Sequence, residues 1–447
     1  MCRVFLDDSE FEVIGIDLGA DSKICLREES YLLNASGTGQ RDTIKRELYN
    51  LLHELTGSKP EWGTMTGVRP LKLSLDKYKE LGSYEKLNDC LSTLYLMSDR
   101  KIKLIDEIID YQMKHVKEPD PNKLSIYVGI PFCPTRCAYC AIASNVANED
   151  EIAEYLDNLY KEIRYTGELN REYKARLVNS IESIYIGGGT PTTLNASQLE
   201  RLIDELSNAF EIKPSEIEFT VEAGRPDTIT EDKLQVLKDK GISRISINPQ
   251  TMKDETLSLI GRDHSSDKII KAYELASHYG FEIINADIIA GLPEESYEDF
   301  VDTLEKVIKL GANNITVHTL SVKRGSRMKD EDPSYYRRNA KIVAQMLEYA
   351  HDRLTSDGFS PYYIYKQKHQ IGAFENIGYC KENTHSLYNI RIMEEKQTII
   401  ALGAGAIGKV YFPDEDRLER IPNVANYKIY SERFDEMLRR KKLYYGG

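Results

Sequence analysis

Between residues 125 and 319 the apolar positions fall into two rhythms that alternate. Short β-branched runs at 125–130, 183–186, 216–221, 244–247, 283–289 and 314–319 read as buried strands. Between them apolar residues recur at helical spacing over 151–166, 196–210, 231–240, 268–279 and 297–310, and a sixth such stretch, 336–355, follows the last strand. Strand–helix units in succession need crossover connections, so the sheet they build is parallel. An open twisted sheet and a partial barrel both satisfy this pattern. A polar, proline-bearing stretch at 117–122 marks a linker. Before it, 41–56 and 96–113 carry helical spacing and 11–16 is strand-like. After about residue 361 the rhythm changes. Segments 362–366 and 397–402 read as strands, 371–389 is rich in Gly and Asn, and 424–440 reads as a helix. The organisation expected is a small N-terminal α/β domain (1–118), a barrel of six βα units (119–335) and a C-terminal α+β domain (336–447).

Composition narrows the function classes. A chain of 447 residues with 41 % hydrophobic and 29 % charged positions suits a large globular core with smaller units attached. A net charge of −13 argues against a general nucleic-acid surface. No apolar run approaches about eighteen residues, so no membrane span is expected. The start, Met1-Cys-Arg-Val-Phe, lacks the basic and apolar regions of a signal peptide, and a cytoplasmic location is expected.

The cysteines change the picture most. Cys2, Cys25, Cys90 and Cys380 are scattered, whereas Cys133, Cys137 and Cys140 crowd into eight residues. Such a set is a poor disulfide framework and reads as one metal site in a reducing compartment. The loop Cys133-Pro-Thr-Arg-Cys137-Ala-Tyr-Cys140 follows the first barrel strand, and Pro131 and Pro134 argue against a regular helix through it. Three thiolates round one face of a cubane leave one iron without a cysteine ligand, and a substrate can chelate that iron. The alternatives are zinc and no metal. Structural zinc wants four ligands, commonly as two spaced pairs, and no second pair exists in this chain.

The stretch Tyr127-Val-Gly-Ile-Pro-Phe-Cys133 through Cys140 resembles the radical SAM superfamily, and more closely its coproporphyrinogen-oxidase-like branch, where Y-x-H-I-P-F-C precedes the cluster loop. The resemblance implies a partial (β/α)6 barrel and a 4Fe–4S cluster held by Cys133, Cys137 and Cys140. It also implies S-adenosylmethionine (SAM) bound to the fourth iron and cleaved to a 5′-deoxyadenosyl radical. Tyr127 and Tyr139 stand at motif positions of the cofactor loop. Gly187-Gly-Gly-Thr-Pro191 ends the second strand; a tight turn explains three glycines equally well, but the family's glycine motif falls there and implies SAM contacts for Gly188 and Gly189. Glu222 ends the third strand, where barrel active sites are built, and matches a SAM-binding position. Gln250, Arg262 and Asp287 match family contacts to the SAM ribose region, carboxylate and ribose hydroxyls. For each residue taken alone a surface or structural role competes; their ordered arrival at successive strand ends favours the site.

Further stretches lie outside the barrel. Trp62-Gly-Thr-Met-Thr-Gly-Val-Arg-Pro70, Glu375-Asn-Ile-Gly-Tyr379, Met393-Glu-Glu-Lys-Gln-Thr-Ile-Ile400 and Gly403-Ala-Gly-Ala406 resemble the HemZ-type oxygen-independent coproporphyrinogen III oxidases (dehydrogenases). That implies removal of a propionate β-hydrogen and loss of CO2, twice, to give the vinyl groups of protoporphyrinogen IX. It also implies a low-potential donor such as flavodoxin or ferredoxin. Propionates need cationic partners; the candidates are Arg225, Lys323, Arg324, Arg327, Lys366 and Lys368, for each of which a solvated rim or, for Arg225, a pairing with Glu222 or Asp227 is the competing reading. Two positions depart from the pattern: Gly129 stands where the branch has histidine, and Ile142 where characterised oxidases have cysteine. Related sequences include haem-trafficking proteins and enzymes acting on haem. The alternative reading is therefore a haem-binding protein that retains the cluster, with His264, His318 or His385 as axial ligand, or a radical enzyme on another tetrapyrrole.

Overall fold

The computed structural model describes residues 5, 11–12, 22–26, 29–33, 40–140, 145–172, 180–322, 326, 328, 335 and 340–445. Strands β1 (Phe11–Glu12), β2 (Ser22–Leu26) and β3 (Glu29–Leu33) form a small antiparallel sheet, followed by helices Gln40–Thr56, Pro70–Leu81, Tyr84–Thr93 and Asp99–His115. Of the early strand-like run, positions 13–16 lie outside the described residues.

The two rhythms become six parallel strands: β4 (Lys123–Ile130), β5 (Ser180–Gly188), β6 (Glu218–Glu222), β7 (Arg244–Ser246), β8 (Ile283–Ala290) and β9 (Asn314–Thr319). Helices Glu149–Glu172, Ala196–Phe210, Glu231–Asp239, Ser266–His278, Tyr297–Lys309 and Ala340–Ser356 run between and after them. Each helix buries one stripe on the sheet. In Ala196–Phe210 the stripe is Leu199, Leu202, Ile203 and Leu206, and the helix opens on a capping box between Asn195 and Gln198. The α/β expectation holds, with β4 and β9 left unpaired to each other as in a partial barrel.

The C-terminal chain supplies both neighbours of that parallel core. β10 (Ser360–Tyr365) and β11 (Asn376–Cys380) extend it antiparallel beyond β9. On the other side β12 (Thr398–Leu402) lies parallel to β4, followed by the antiparallel β13 (Ile407–Phe412) and β14 (Arg417–Pro422). β11 falls inside the Gly/Asn-rich stretch, where no alternation announces it. Gly378 is needed because a Cβ there would run into the Tyr363 ring at 1.8 Å. The hairpin β13–β14 was likewise not legible as two strands.

Two buried carboxylates fasten the outer pieces to the barrel. Glu375, just before β11, accepts from Trp62 Nε1 (2.6 Å) and from Lys101 Nζ (2.5 Å), so the N-terminal helices are tied to the sheet. Glu162, fully buried in helix Glu149–Glu172, accepts from Gly403 N (2.7 Å), Asn423 Nδ2 (2.9 Å) and Tyr430 OH (2.7 Å) and pairs with Lys441 Nζ (3.2 Å). No helix among the described residues is long and apolar enough to cross a membrane.

Removing Glu162 leaves the Lys441 ammonium buried without its carboxylate. Glu162→Ala is expected to lower the unfolding free energy by roughly 3–5 kcal/mol, measured by guanidinium unfolding; a change below about 1 kcal/mol would show that the knot is peripheral to stability.

Candidate functional site

The cysteine loop leaves the C-terminal end of β4 and returns against itself. Cys133 N donates to Asn145 O (3.0 Å) and Asn145 N to Pro131 O (2.8 Å). Its far side is tied to the turn after the short helix Asp254–Leu259, through Ala138 N to Ile260 O (2.9 Å) and Thr135 Oγ1 to Gly261 O (2.9 Å). Residues 141–144, Ile142 among them, lie outside the described residues. Cys133, Cys137 and Cys140 all line one cavity of about 260 Å³. Among the described residues no three His, Cys, Asp or Glu side chains are placed to hold a single metal ion. Three cysteine thiols lining one cavity suit the donor set of an iron–sulfur cluster.

The same cavity is lined by Tyr139, Gly188, Gly189, Glu222, Gln250, Arg262 and Asp287, so seven of the eight cofactor positions read from the sequence converge there. The walls fit a polar ligand. Gly188 has φ +112°, and a Cβ on Gly189 would meet Phe132 O at 2.4 Å, so the backbone can lie open to the cavity only with glycine at both positions. Gln250 is held at φ +67°, unusual for a residue with a side chain, by bonds from its N to Asp287 O (2.9 Å) and from Ile289 N to its own O (3.0 Å). Its Oε1 is buried without a partner. Arg262 Nη1 donates to Asn248 O (2.6 Å) and Gly224 O (3.3 Å), while its Nε is buried without a partner. Gln250 Oε1 and Arg262 Nε, an acceptor and a donor without partners on two residues that line one cavity, suit a ligand carrying both kinds of group.

Two carboxylates meet at the inner wall. Glu222 accepts from Tyr185 OH (2.5 Å) and Gly188 N (3.2 Å). Burial, reinforced by the nearby Asp287, pushes its carboxyl up to about 7 in spite of those bonds. Burial acts on Asp287 too, but His318 at 3.5 Å and Asn285 Nδ2 at 2.8 Å outweigh it and hold that carboxyl below its ordinary value.

Tyr127 lines a second cavity of about 380 Å³, walled also by Tyr185, Tyr363, Tyr388 and Met393. Both cavities share Glu222, Asp287, His318 and Tyr365. The second is the inner one: its Asn285, Thr316 and Tyr363 precede Asp287, His318 and Tyr365 by two residues along β8, β9 and β10.

Of the cationic candidates, Arg225 lines the outer cavity, but its guanidinium is committed to Asp227 (3.0 and 3.1 Å) and to Thr135 Oγ1 (2.7 Å). Lys366 is buried, with Nζ on Met65 O (3.3 Å) and over the Trp62 ring, and Lys368 is exposed; neither lines either of these two cavities. Lys323, Arg324 and Arg327 lie outside the described residues. His264 packs on Asp227 (3.3 Å) and His385 on Tyr111 (3.1 Å), away from both cavities, whereas His318 faces both. Sequence reading passed over Tyr185, Tyr365, Tyr388 and Asn248. The first two were within reach of the period-two rule, because Tyr185 precedes Gly187 by two and Tyr365 shares a face with Tyr363.

Residues 127–307 match the family model of the radical SAM superfamily. The chain is 41 % identical over 401 residues to the Bacillus subtilis (strain 168) oxygen-independent coproporphyrinogen-III oxidase-like protein HemZ, spanning 88 % of this chain and 79 % of that relative. It is 29 % identical to the heme chaperone HemW of Escherichia coli (strain K12), over 65 % of this chain and 71 % of that one. Among solved structures it is similar to the coproporphyrinogen III oxidase HemN of Escherichia coli, a radical SAM enzyme, with TM-score 0.54 and 23 % identity over 76 % of this chain and 73 % of that chain, a likeness of fold.

Anaerobic reconstitution with iron and sulfide is expected to load the native chain with a 4Fe–4S cluster. Cys133→Ala, Cys137→Ala and Cys140→Ala should each bind little iron, whereas Cys380→Ala should load normally; iron analysis and electron paramagnetic resonance check this. Full loading of any of the first three variants would remove that thiol from the ligand set.

Proposed function

This chain belongs to the radical SAM superfamily and within it to the HemZ-like proteins, and from that premise we propose that it converts propionate side chains of coproporphyrinogen III to vinyl groups without molecular oxygen. The observation that carries the reading is the pair of adjoining cavities. One gathers the three thiols and the orphaned Gln250 and Arg262 groups; the other offers space for a substrate across the shared Glu222–Asp287 wall.

The family's cofactors are a 4Fe–4S cluster and SAM. In this reading Cys133, Cys137 and Cys140 hold three irons, and Gly188, Gly189, Glu222, Gln250, Arg262 and Asp287 hold SAM. Bound together, the two groups supply hydrogen-atom abstraction from an unactivated carbon. The chain's own part is position and dryness. Arg262, fixed by Asn248 O and Gly224 O, presents a guanidinium to a carboxylate. Gln250 Oε1 accepts from a ligand N–H or O–H, and the anionic Asp287 faces hydroxyls or a cation. The tyrosine walls exclude water from the reacting centre. A haem-carrier reading has less support: of the three histidines, His318 alone lines the two cavities described, and it is engaged by Asp287 and by Tyr365 OH (3.3 Å).

SAM is a cation and binds best to an ionised Glu222. Between about pH 6 and about pH 8 the Glu222 carboxyl, pushed up to about 7, passes from mostly protonated to mostly ionised, so SAM affinity should rise with pH by up to about tenfold. Equilibrium dialysis on the reconstituted protein should show that rise in the native chain and a flat profile in Glu222→Gln; a native profile that falls with pH would contradict the role.

The function itself is tested by anaerobic incubation of the reconstituted protein with SAM, a low-potential reductant and coproporphyrinogen III. The expected products are 5′-deoxyadenosine and a tetrapyrrole lighter by one or two CO2 with matching loss of hydrogen, identified by mass. 5′-Deoxyadenosine without a decarboxylated tetrapyrrole would sink the proposal.

A further inference from the structure

One feature outside both cavities is electrostatically unbalanced. Four cations converge on the single carboxylate of Glu395: Arg420 Nη2 at 2.8 Å, Arg69 Nη2 at 3.0 Å, Lys409 Nζ at 3.4 Å and Lys72 Nζ at 3.8 Å. The next carboxylates, Asp76 and Asp416, face Lys396 at 3.8 and 2.7 Å; Asp416 also feels Lys72, and Asp76 lines a groove with Arg69 and Lys72. A network that served only stability would match its charges; here five cations, Lys396 included, share three carboxylates. Burial and then the neighbouring Arg69 push the Lys409 ammonium down to about 8, and Arg69 Nε is buried without a partner. The side chains of Arg69, Lys72 and Arg420 nevertheless reach solvent, at 22, 29 and 55 % exposure. Arg69 and Lys72 also line a surface groove of about 290 Å³.

This cluster touches the wall of the inner cavity through Lys409. Lys409 follows Ile407, a cavity residue, by two positions on β13, and its Nζ donates to the carbonyl of Ile392, another (2.7 Å). Glu395 follows the cavity residue Met393 by two. Arg69 adjoins Val68, whose carbonyl accepts from Lys366 N (2.8 Å), the residue after Tyr365. Among the described residues the cavity's lining holds no Lys or Arg, and it has three nearly parallel rings. Tyr185 and Tyr388 stand 4.8 Å apart at 23°, and Tyr127 is 6.2 Å from each. Ring faces inside and surplus positive charge beside the cavity suit a polycarboxylate built of aromatic rings, such as the separate pyrroles of a porphyrinogen.

We propose that Arg69, Lys72 and Arg420, backed by the buried Lys409, form a carboxylate-binding subsite beside the inner cavity, holding the non-reacting carboxylates of a tetrapyrrole whose reacting edge enters among the tyrosines. The subsite deepens the proposed function and rests on its polycarboxylate substrate. A cavity near the small end of ligand pockets takes part of a macrocycle and leaves the remainder, with its carboxylates, at the rim.

The experiment is fluorescence titration of the reconstituted full chain with coproporphyrin III, which carries four carboxylates, and mesoporphyrin IX, which has a similar ring and two. The native protein should prefer coproporphyrin III. The double variant Lys72→Gln/Arg420→Gln should bind it about tenfold more weakly and lose most of the preference, while Lys213→Gln, a remote exposed site, should bind as native does. If the double variant fails to fold by circular dichroism, Arg420→Gln alone is read the same way, with a loss of about threefold expected. Unchanged coproporphyrin III affinity in a folded variant overturns the subsite. The decarboxylation assay separates this from the function. Native turnover of coproporphyrinogen III with an unchanged KM in the variant keeps the reaction and rejects the subsite. Absence of turnover with weakened coproporphyrin III binding in the variant keeps the subsite and rejects the reaction.

Discussion

Two half-buried carboxylates, Glu222 and Asp287, stand in the wall that the cavities share, and most of the site can be understood as the means of holding them there. Ionising both Glu222 and Asp287 in a chamber walled by aromatic rings costs several kcal/mol by desolvation and mutual repulsion. The fold divides the difficulty unequally. Asp287 receives His318 and Asn285 and stays anionic, while Glu222 receives a tyrosine hydroxyl and one backbone N–H and stays near neutrality. The apo site is thus poised for a positively charged ligand, whose arrival completes the ionisation that burial opposes. The orphaned atoms of Gln250 and Arg262 carry the same message in neutral and cationic form.

The sheet that carries both carboxylates is extended on both flanks by the C-terminal chain. β12 continues the parallel sheet beyond β4, and the turn after it, 403–406, packs onto Gly129. A Cβ at position 129 would meet Ala404 O at 2.9 Å, and Tyr155 OH bridges Gly129 O (2.6 Å) to Ala404 N (3.0 Å). In this chain there is no room for the histidine that the related pattern carries at that place. Its replacement therefore follows from how Gly403-Ala-Gly-Ala406 is seated, and the glycine says less about the substrate than the sequence alone suggested.

What the sequence could reveal follows from how local each signal is. The six βα units were legible because buried parallel strands are apolar runs and their helices have one apolar stripe, both readable in short windows. The three cysteines were legible for the same reason. β11 was not, since Asn376-Ile-Gly-Tyr-Cys380 owes its strand to pairing with β9 and to the Tyr363 ring over Gly378, neither of which lies nearby in sequence. The inner cavity was missed because its walls are tyrosines, residues that read as ordinary core until several of them face one void. Arg225 illustrates the converse: its position at a strand end was visible, but its bidentate partner Asp227 fixes what the guanidinium can do.

The motifs outside the barrel become intelligible through their partners. Trp62 meets Glu375 at 2.6 Å, and Arg69, seven residues on, meets Glu395 at 3.0 Å; each contact joins two stretches singled out separately in the sequence. One loop, 62–70, thereby reaches two different parts of the C-terminal chain. Contacts made only for stability between the same two segments would be best served by apolar packing, which avoids desolvating charge. The first contact is fully balanced, with Glu375 meeting a neutral donor and Lys101. The second is not, with four cations on Glu395 and solvent within reach of three of them. The difference between a closed network and an open one separates a fastening from a place where an anion is still to come.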